Sequence, residues 1–122
     1  MPRVMHFELH VDNPAKAVKF YESVFGWKAE KYPGPFEYWI LNSGNNNIAG
    51  INGGVTKRQA PSESVINYIA VDSVKVYLKK ITDAGGKIIE PKQPIPGIGY
   101  MAIGMDTEGI TFGLIQPDMA IK

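Results

Sequence analysis

Val11-Asp12-Asn13-Pro14-Ala15-Lys16-Ala17-Val18-Lys19-Phe20-Tyr21-Glu22-Ser23-Val24-Phe25-Gly26 decides how this chain is read. Asn13 is a residue type that caps the orphan N–H groups of a helix start, and Pro14 suits the first helical position. Pro14, Ala17, Val18, Tyr21, Val24 and Phe25 then recur at helical spacing. Gly26 stops the helix where a left-handed residue is wanted. Sixty residues on, the order returns from Val71-Asp72-Ser73-Val74 to Gly85-Gly86. Pro14 falls on Val74, Val18 on Leu78, Tyr21 on Ile81, Val24 on Ala84 and Gly26 on Gly86, with no gap. A shared cap, stripe, terminal glycine and element order mark an internal repeat.

The flanks extend each copy. Val4–Val11 alternates, with Phe7, Leu9 and Val11 on one face and His6, Glu8 and His10 on the other. Strands are predicted near 27–31, at the aromatic stretch 36–41, and at 48–51 before Gly53-Gly54. In the second copy strands are expected at 65–71, 87–90, 100–105 and 110–116, with a proline- and glycine-rich excursion over 91–99. The last strands are matched as Ile48-Ala49-Gly50-Ile51 with Thr111-Phe112-Gly113-Leu114. Residues 3–55 form repeat one, 56–63 a polar linker and 64–117 repeat two, all within one domain spanning 1–122. The expected fold is α+β: two βαβββ units whose sheets curve around a cleft suited to a ligand.

Composition narrows the function. At 122 residues the chain has the size of one domain that folds without a disulfide or structural metal. It is 44% hydrophobic and 20% charged, which reads as globular. A net charge of +1 with no long run of one sign argues against nucleic acid or an anionic membrane as partner. No cysteine is present, so thiol nucleophiles and Cys-ligated zinc are excluded. No apolar stretch approaches the ~20 residues of a membrane span, and the N-terminus lacks the apolar core of a signal peptide. The expectation is a cytoplasmic protein that handles something small.

His6-Phe7-Glu8-Leu9-His10-Val11-Asp12-Asn13-Pro14, Phe20-Tyr21 through Phe25-Gly26-Trp27, and Asp106-Thr107-Glu108-Gly109 before the last strand resemble the vicinal-oxygen-chelate superfamily. That superfamily comprises glyoxalases, bleomycin-resistance proteins and extradiol dioxygenases, and the resemblance covers nearly the whole chain. It implies the fold rather than a reaction, because the fold hosts isomerases, transferases, oxygenases and non-catalytic drug sequesterers. Its metal enzymes take ligands from the first and last strands of each unit. Carried over, these positions fall on His6, Ile66, Gly50 and Gly113. Only His6 can ligate, whereas a divalent site needs about three protein ligands. No metal and no cofactor are therefore expected.

His6 and Glu8 are the candidate catalytic pair, since a neighbouring carboxylate raises a histidine's pKa. Successive residues on their face stand about 7 Å apart, wide for joint chelation by one displaced ion. Candidate ligand-binding residues are His10, Tyr38, Trp39, Gly50, Tyr68, Tyr100 and Gly113. One of Tyr38 and Trp39 should face the cleft, where a flat ligand stacks on a ring. The two glycines would leave room on the cleft floor. Tyr68, at the position of Glu8, would make a phenol–carboxylate hydrogen bond to it. Lys57 and Arg58 either guide an anionic ligand or are simply solvated.

The leading expectation is a metal-free cleft that binds a small molecule, aromatic or anionic. The alternatives are a lyase, isomerase or dioxygenase-like enzyme of the same superfamily using His6 and Glu8 with a displaced metal, and an interaction or regulatory module without a small ligand. A homodimer is expected, because small members of the superfamily pair and open sheet edges invite it.

Overall fold

The computed structural model describes residues 2–45 and 47–118. The elements run β1 (Arg3–Val11), α1 (Pro14–Phe25), β2 (Lys28–Lys31), β3 (Tyr38–Asn42) and β4 (Gly53–Lys57). They continue β5 (Val65–Ala70), α2 (Val74–Asp83), β6 (Lys87–Ile95), β7 (Gly99–Met105) and β8 (Thr111–Pro117). This is the α+β, twice-repeated βαβββ order read from the sequence. The chain divides into two compact units, His6–Ile66 and Asn67–Lys122 with Met1–Met5.

In the first unit the strand order is β2-β3-β4-β1, with β1 and β4 parallel and the other pairs antiparallel. Helix α1 begins where expected: Asn13 accepts from the N–H of Lys16, and Gly26 takes φ 72 at the C-terminus. Its buried Val18 packs with Leu41 and Val55, and Phe7, Leu9, Val11, Trp27 and Trp39 close around them. That core lies on one face of the sheet. Strand alternation puts His6, Glu8 and His10 on the other.

The second unit repeats the plan with order β5-β8-β7-β6 and β5 parallel to β8. Ser73 caps α2 by accepting from Val76 N–H. Val71, Val74, Ala102 and Leu114 form its core.

Three expectations are corrected. Residues 48–51 are loop; the fourth strand starts at Gly53 and runs through Lys57. Glycines read as a strand end are buried in the strand, because aromatic rings lie over them. Helix α2 is shorter than the repeat suggests, and Gly85, with φ 93, is the left-handed residue in place of Gly86. Residues 91–95 continue β6 despite Pro91 and Pro94. In that unit's sheet β6 is an outer strand, and its pairing slips between Ile88 and Gln93. Outer strands and bulges are where proline is tolerated.

Candidate functional site

β4 runs between β1 and β3, and its register aligns two rows on one face. Ile40 of β3 pairs with Gly54, which pairs with Glu8 of β1; Tyr38 pairs with Thr56, which pairs with His10. These residues share the face opposite α1. A Cβ on Gly54 would collide with the Tyr38 ring and hydroxyl. The phenol therefore lies across β4 at the one residue of this face with no side chain. It reaches His6, whose Nε2 is 2.9 Å from the Tyr38 oxygen, and it hydrogen-bonds Glu8.

The carboxylate sets the direction of this chain of bonds. An ionised carboxylate only accepts, so Tyr38 donates its single proton to Glu8. The Tyr38 oxygen must then accept from His6 Nε2–H. In the neutral imidazole that leaves the lone pair on Nδ1. Burial lowers the His6 pKa, partly offset by the charge of Glu8, which favours that neutral form near pH 7. Burial pushes the Glu8 carboxyl up. The contacts of His10 and Tyr38 and the charges of His10 and His6 outweigh it and hold the carboxyl below its ordinary value.

His10 turns toward the linker. Its Nε2 lies 2.9 Å from Glu8 and its Nδ1 3.5 Å from Glu63, with the His10 and Glu8 side chains only 10% and 12% exposed. The His10–Glu8 contact is at hydrogen-bond distance and acts as a hydrogen bond as well as a charge pair. The approach of Glu8 raises the His10 pKa against burial, and the charge of Glu63 adds to it. The backbone agrees: His10 N–H donates to Ser64 O, and Arg58 N–H to Val11 O. Arg58 is not simply solvated. Its guanidinium donates to Glu63 O at 2.8 Å and Pro61 O at 3.4 Å and pairs with Asp12. An open depression of about 480 Å³ is lined by Asp12, Arg58, Gln59, Ala60 and Pro61. It lies at this linker and not at the His6–Tyr38 cluster.

The other sequence candidates are placed as follows. Trp39 faces α1 and packs with the core, so Tyr38 is the member of the pair on the site face. Tyr100 packs against the second unit's core, with Lys92 Nζ 4.2 Å from its ring centre. Tyr68 is buried in that unit and its ring lies over Gly113. Gly50 is an exposed loop residue, and a Cβ added there would meet nothing within 4 Å. The true counterpart of Gly113, opposite Tyr68, is Gly54, opposite Glu8. These two glycines leave room for the protein's own tyrosines and not for an open floor. Gly54 escaped the sequence reading; its signal was an unexplained Gly53-Gly54 pair followed by Val55.

The same geometry tests the divalent ion that the fold family implies. At both last-strand positions a donor side chain is replaced by glycine, and a tyrosine ring fills the space. The third position, Ile66, is a buried hydrocarbon. Among the described residues no group of three or more His, Cys, Asp or Glu side chains is placed to hold a metal. The residues present do not fit that ion.

Two βαβββ units, each closing its sheet with a parallel pair of first and last strands, define the glyoxalase/bleomycin-resistance fold. The chain has that fold. Residues 3–38 match the bleomycin resistance protein-like N-terminal family. Two curated relatives named as glyoxylases, from Mycobacterium bovis and Mycobacterium tuberculosis, are 29% identical over 93% of this chain and 45% of their own length. The chain thus spans about half the length of the curated relatives it matches. Among solved structures, methylmalonyl-CoA epimerase from Mycobacterium tuberculosis superposes with TM-score 0.71 at 10% identity, covering 94% of this chain and 87% of that one. A hypothetical protein of Bacillus halodurans gives 0.73 at 14%, covering 99% and 98%. A methylmalonyl-CoA epimerase in complex with methylmalonyl-CoA gives 0.69 at 13%, covering 94% of each. At such identities the likeness is one of fold. No helix among the described residues is long and apolar enough to cross a membrane.

Proposed function

We propose that this protein binds a small organic molecule, without a divalent metal, on the sheet face that carries His6, Glu8 and Tyr38. The observation behind this reading is the Tyr38 phenol laid across Gly54 to join both residues. A packed core has no need of a directed chain of tyrosine, imidazole and carboxylate on the side away from its helix. Held polar groups beside an aromatic ring are what orient a ligand. Tyr38 offers the ring for a flat, apolar ligand, and Ile40 shares its face. The Glu8 carboxylate favours N–H or O–H groups on that ligand over an anion. The same proposal places the protein in the cytoplasm, where a chain without cysteine needs no oxidising compartment.

A thermal-shift screen of aromatic amines, phenols and small carboxylates tests it. A binder at a hundred times its dissociation constant adds about 2.7 kcal/mol of stability. The shift should vanish in Tyr38→Phe and persist when buffers are treated with chelator. If no compound shifts the melt, or if the shift requires a metal, the reading fails.

One observation favours a second reading, an enzyme of the same superfamily. Neutral His6 donates from Nε2, so its Nδ1 carries the basic lone pair, and the solved structures of this fold include epimerases. In that case His6 Nδ1 would take a proton from a substrate carbon. Deuterium exchange from solvent into a bound ligand, lost in His6→Gln while binding persists, would establish it.

A further inference from the structure

The face that carries His6, Glu8 and Tyr38 extends outward to Tyr32, the residue next after β2. Tyr32 N–H donates to Tyr38 O at 2.8 Å, and the two rings meet edge to face, with centres 6.2 Å apart and planes at 77°. Tyr38 is held by its bonds to His6 and Glu8, and beside it the Thr56 hydroxyl donates to Glu37 O at 3.0 Å. Tyr32 is 38% exposed, so its ring reaches solvent. In the adjoining row Glu30, Ile40, Gly54 and Glu8 follow one another across β2, β3, β4 and β1. A carboxylate stands at each end of that row. Lys28, opposite Asn42, is the one cation on this face of β2 and β3, and it lies two rows from the tyrosines.

The repeat supplies an internal control. The second unit has the matching row, Glu90, Ile103, Gly113 and Tyr68. In the row beside it, Gln93 and Met101 stand where the first unit has Tyr32 and Tyr38. A βαβββ sheet therefore forms without two rings at this place.

We infer that, on the reading of this face as a ligand site, Tyr32 and Tyr38 form an aromatic corner for the alkylated ammonium group of a small organic cation, with Glu30 and Glu8 supplying negative charge. Two ring planes near a right angle cannot both stack on a flat ligand, whereas a rounded group touches both. The faces of tyrosine rings are negative, so a cation gains where an uncharged group of the same shape does not. An alkylated nitrogen also sheds its water more readily than a bare ammonium, which suits a corner made of hydrocarbon. His10 takes part of the Glu8 charge, so the exposed Glu30 carries the larger share of the attraction. Neutral His6 does not oppose it. A hydroxyl or N–H elsewhere on the ligand can then meet Glu8.

Choline and its neutral carbon analogue, in which tert-butyl replaces trimethylammonium, test this when titrated into the full chain and followed by two-dimensional NMR. Choline should bind at least about tenfold more tightly than the analogue and shift the signals of Tyr32 and Ile40. Tyr32→Leu should weaken choline at least about threefold and leave the analogue unchanged, whereas Tyr32→Phe should keep choline binding. Glu30→Gln should weaken choline as well, and added salt should do the same. Equal binding of the two probes, or choline binding that Tyr32→Leu does not weaken, overturns the inference. If choline does not bind but a neutral or anionic compound does, and is lost in Tyr38→Phe, the cation corner is wrong and the small-molecule reading stands. If no compound of any class binds, both fall.

Discussion

The phenol of Tyr38 occupies the space that a side chain on Gly54 would fill. Because β4 separates β3 from β1, Tyr38 reaches His6 and Glu8 along its own sheet face by crossing Gly54. Gly54→Ala should displace the ring and cost about 1–3 kcal/mol in chemical denaturation, the range for overpacking a filled site. The same change made in Tyr38→Ala should cost clearly less, because the atoms it strikes are gone. Equal costs in both backgrounds would mean that the glycine is needed for β4 alone.

The chain has two histidines, and their environments push them in opposite directions. Burial lowers His6 from 6.5, and Glu8 with Glu63 raises His10 above it. Two-dimensional NMR of the imidazole signals should show one titration midpoint on each side of 6.5, with the upper one removed by His10→Gln. The stability consequences have opposite signs. The contribution of His10 is complete below the unfolded value and is lost as pH rises through its raised folded value. That of His6 is complete above the unfolded value and is lost as pH falls through its lowered one. Glu8 adds to the acid-side loss, since its carboxyl lies below the ordinary value in the fold.

Arg58 holds the linker to the end of β1 by donating to Pro61 O and Glu63 O. Arg58→Ala should cost about 1–2 kcal/mol, chiefly from the part-buried bond to Glu63 O, since its partner Asp12 is largely exposed. It should also loosen Glu63 and lower the His10 midpoint toward 6.5. An unchanged His10 midpoint would show that Glu8 alone sets it.

Leu41 is fully buried between α1 and β4. Leu41→Ala should cost about 2–5 kcal/mol by leaving a cavity. Gly26→Ala, which forces a side chain into a left-handed backbone conformation, should cost about 1 kcal/mol and leave the site intact. A larger loss for Gly26 than for Leu41 would contradict this account of the unit's stability.

Local physics made much of this protein legible before any fold was seen. Asn13 and Ser73 cap their helices because a short polar side chain meets orphan N–H groups whatever surrounds it. The stripes through Val18 and Leu78 needed only a period and a core to face. Alternation in β1 sufficed to put His6, Glu8 and His10 on one face. Pairing was different. Gly53-Gly54 read as a strand end because glycine has no side chain of its own to pack, and only register reveals the rings that lie over it. That misplacement moved the last strand upstream and paired Gly113 with Gly50 in place of Gly54. Tyr38 and Trp39 were equivalent until β3 was set against β4, since adjacent strand residues point opposite ways and the pairing decides which is which. The repeat, the helix starts and the polar face of β1 follow from local sequence alone. Tertiary structure decided that Tyr38 crosses Gly54 to complete that face, because a contact across an intervening strand depends on register, which no local signal encodes.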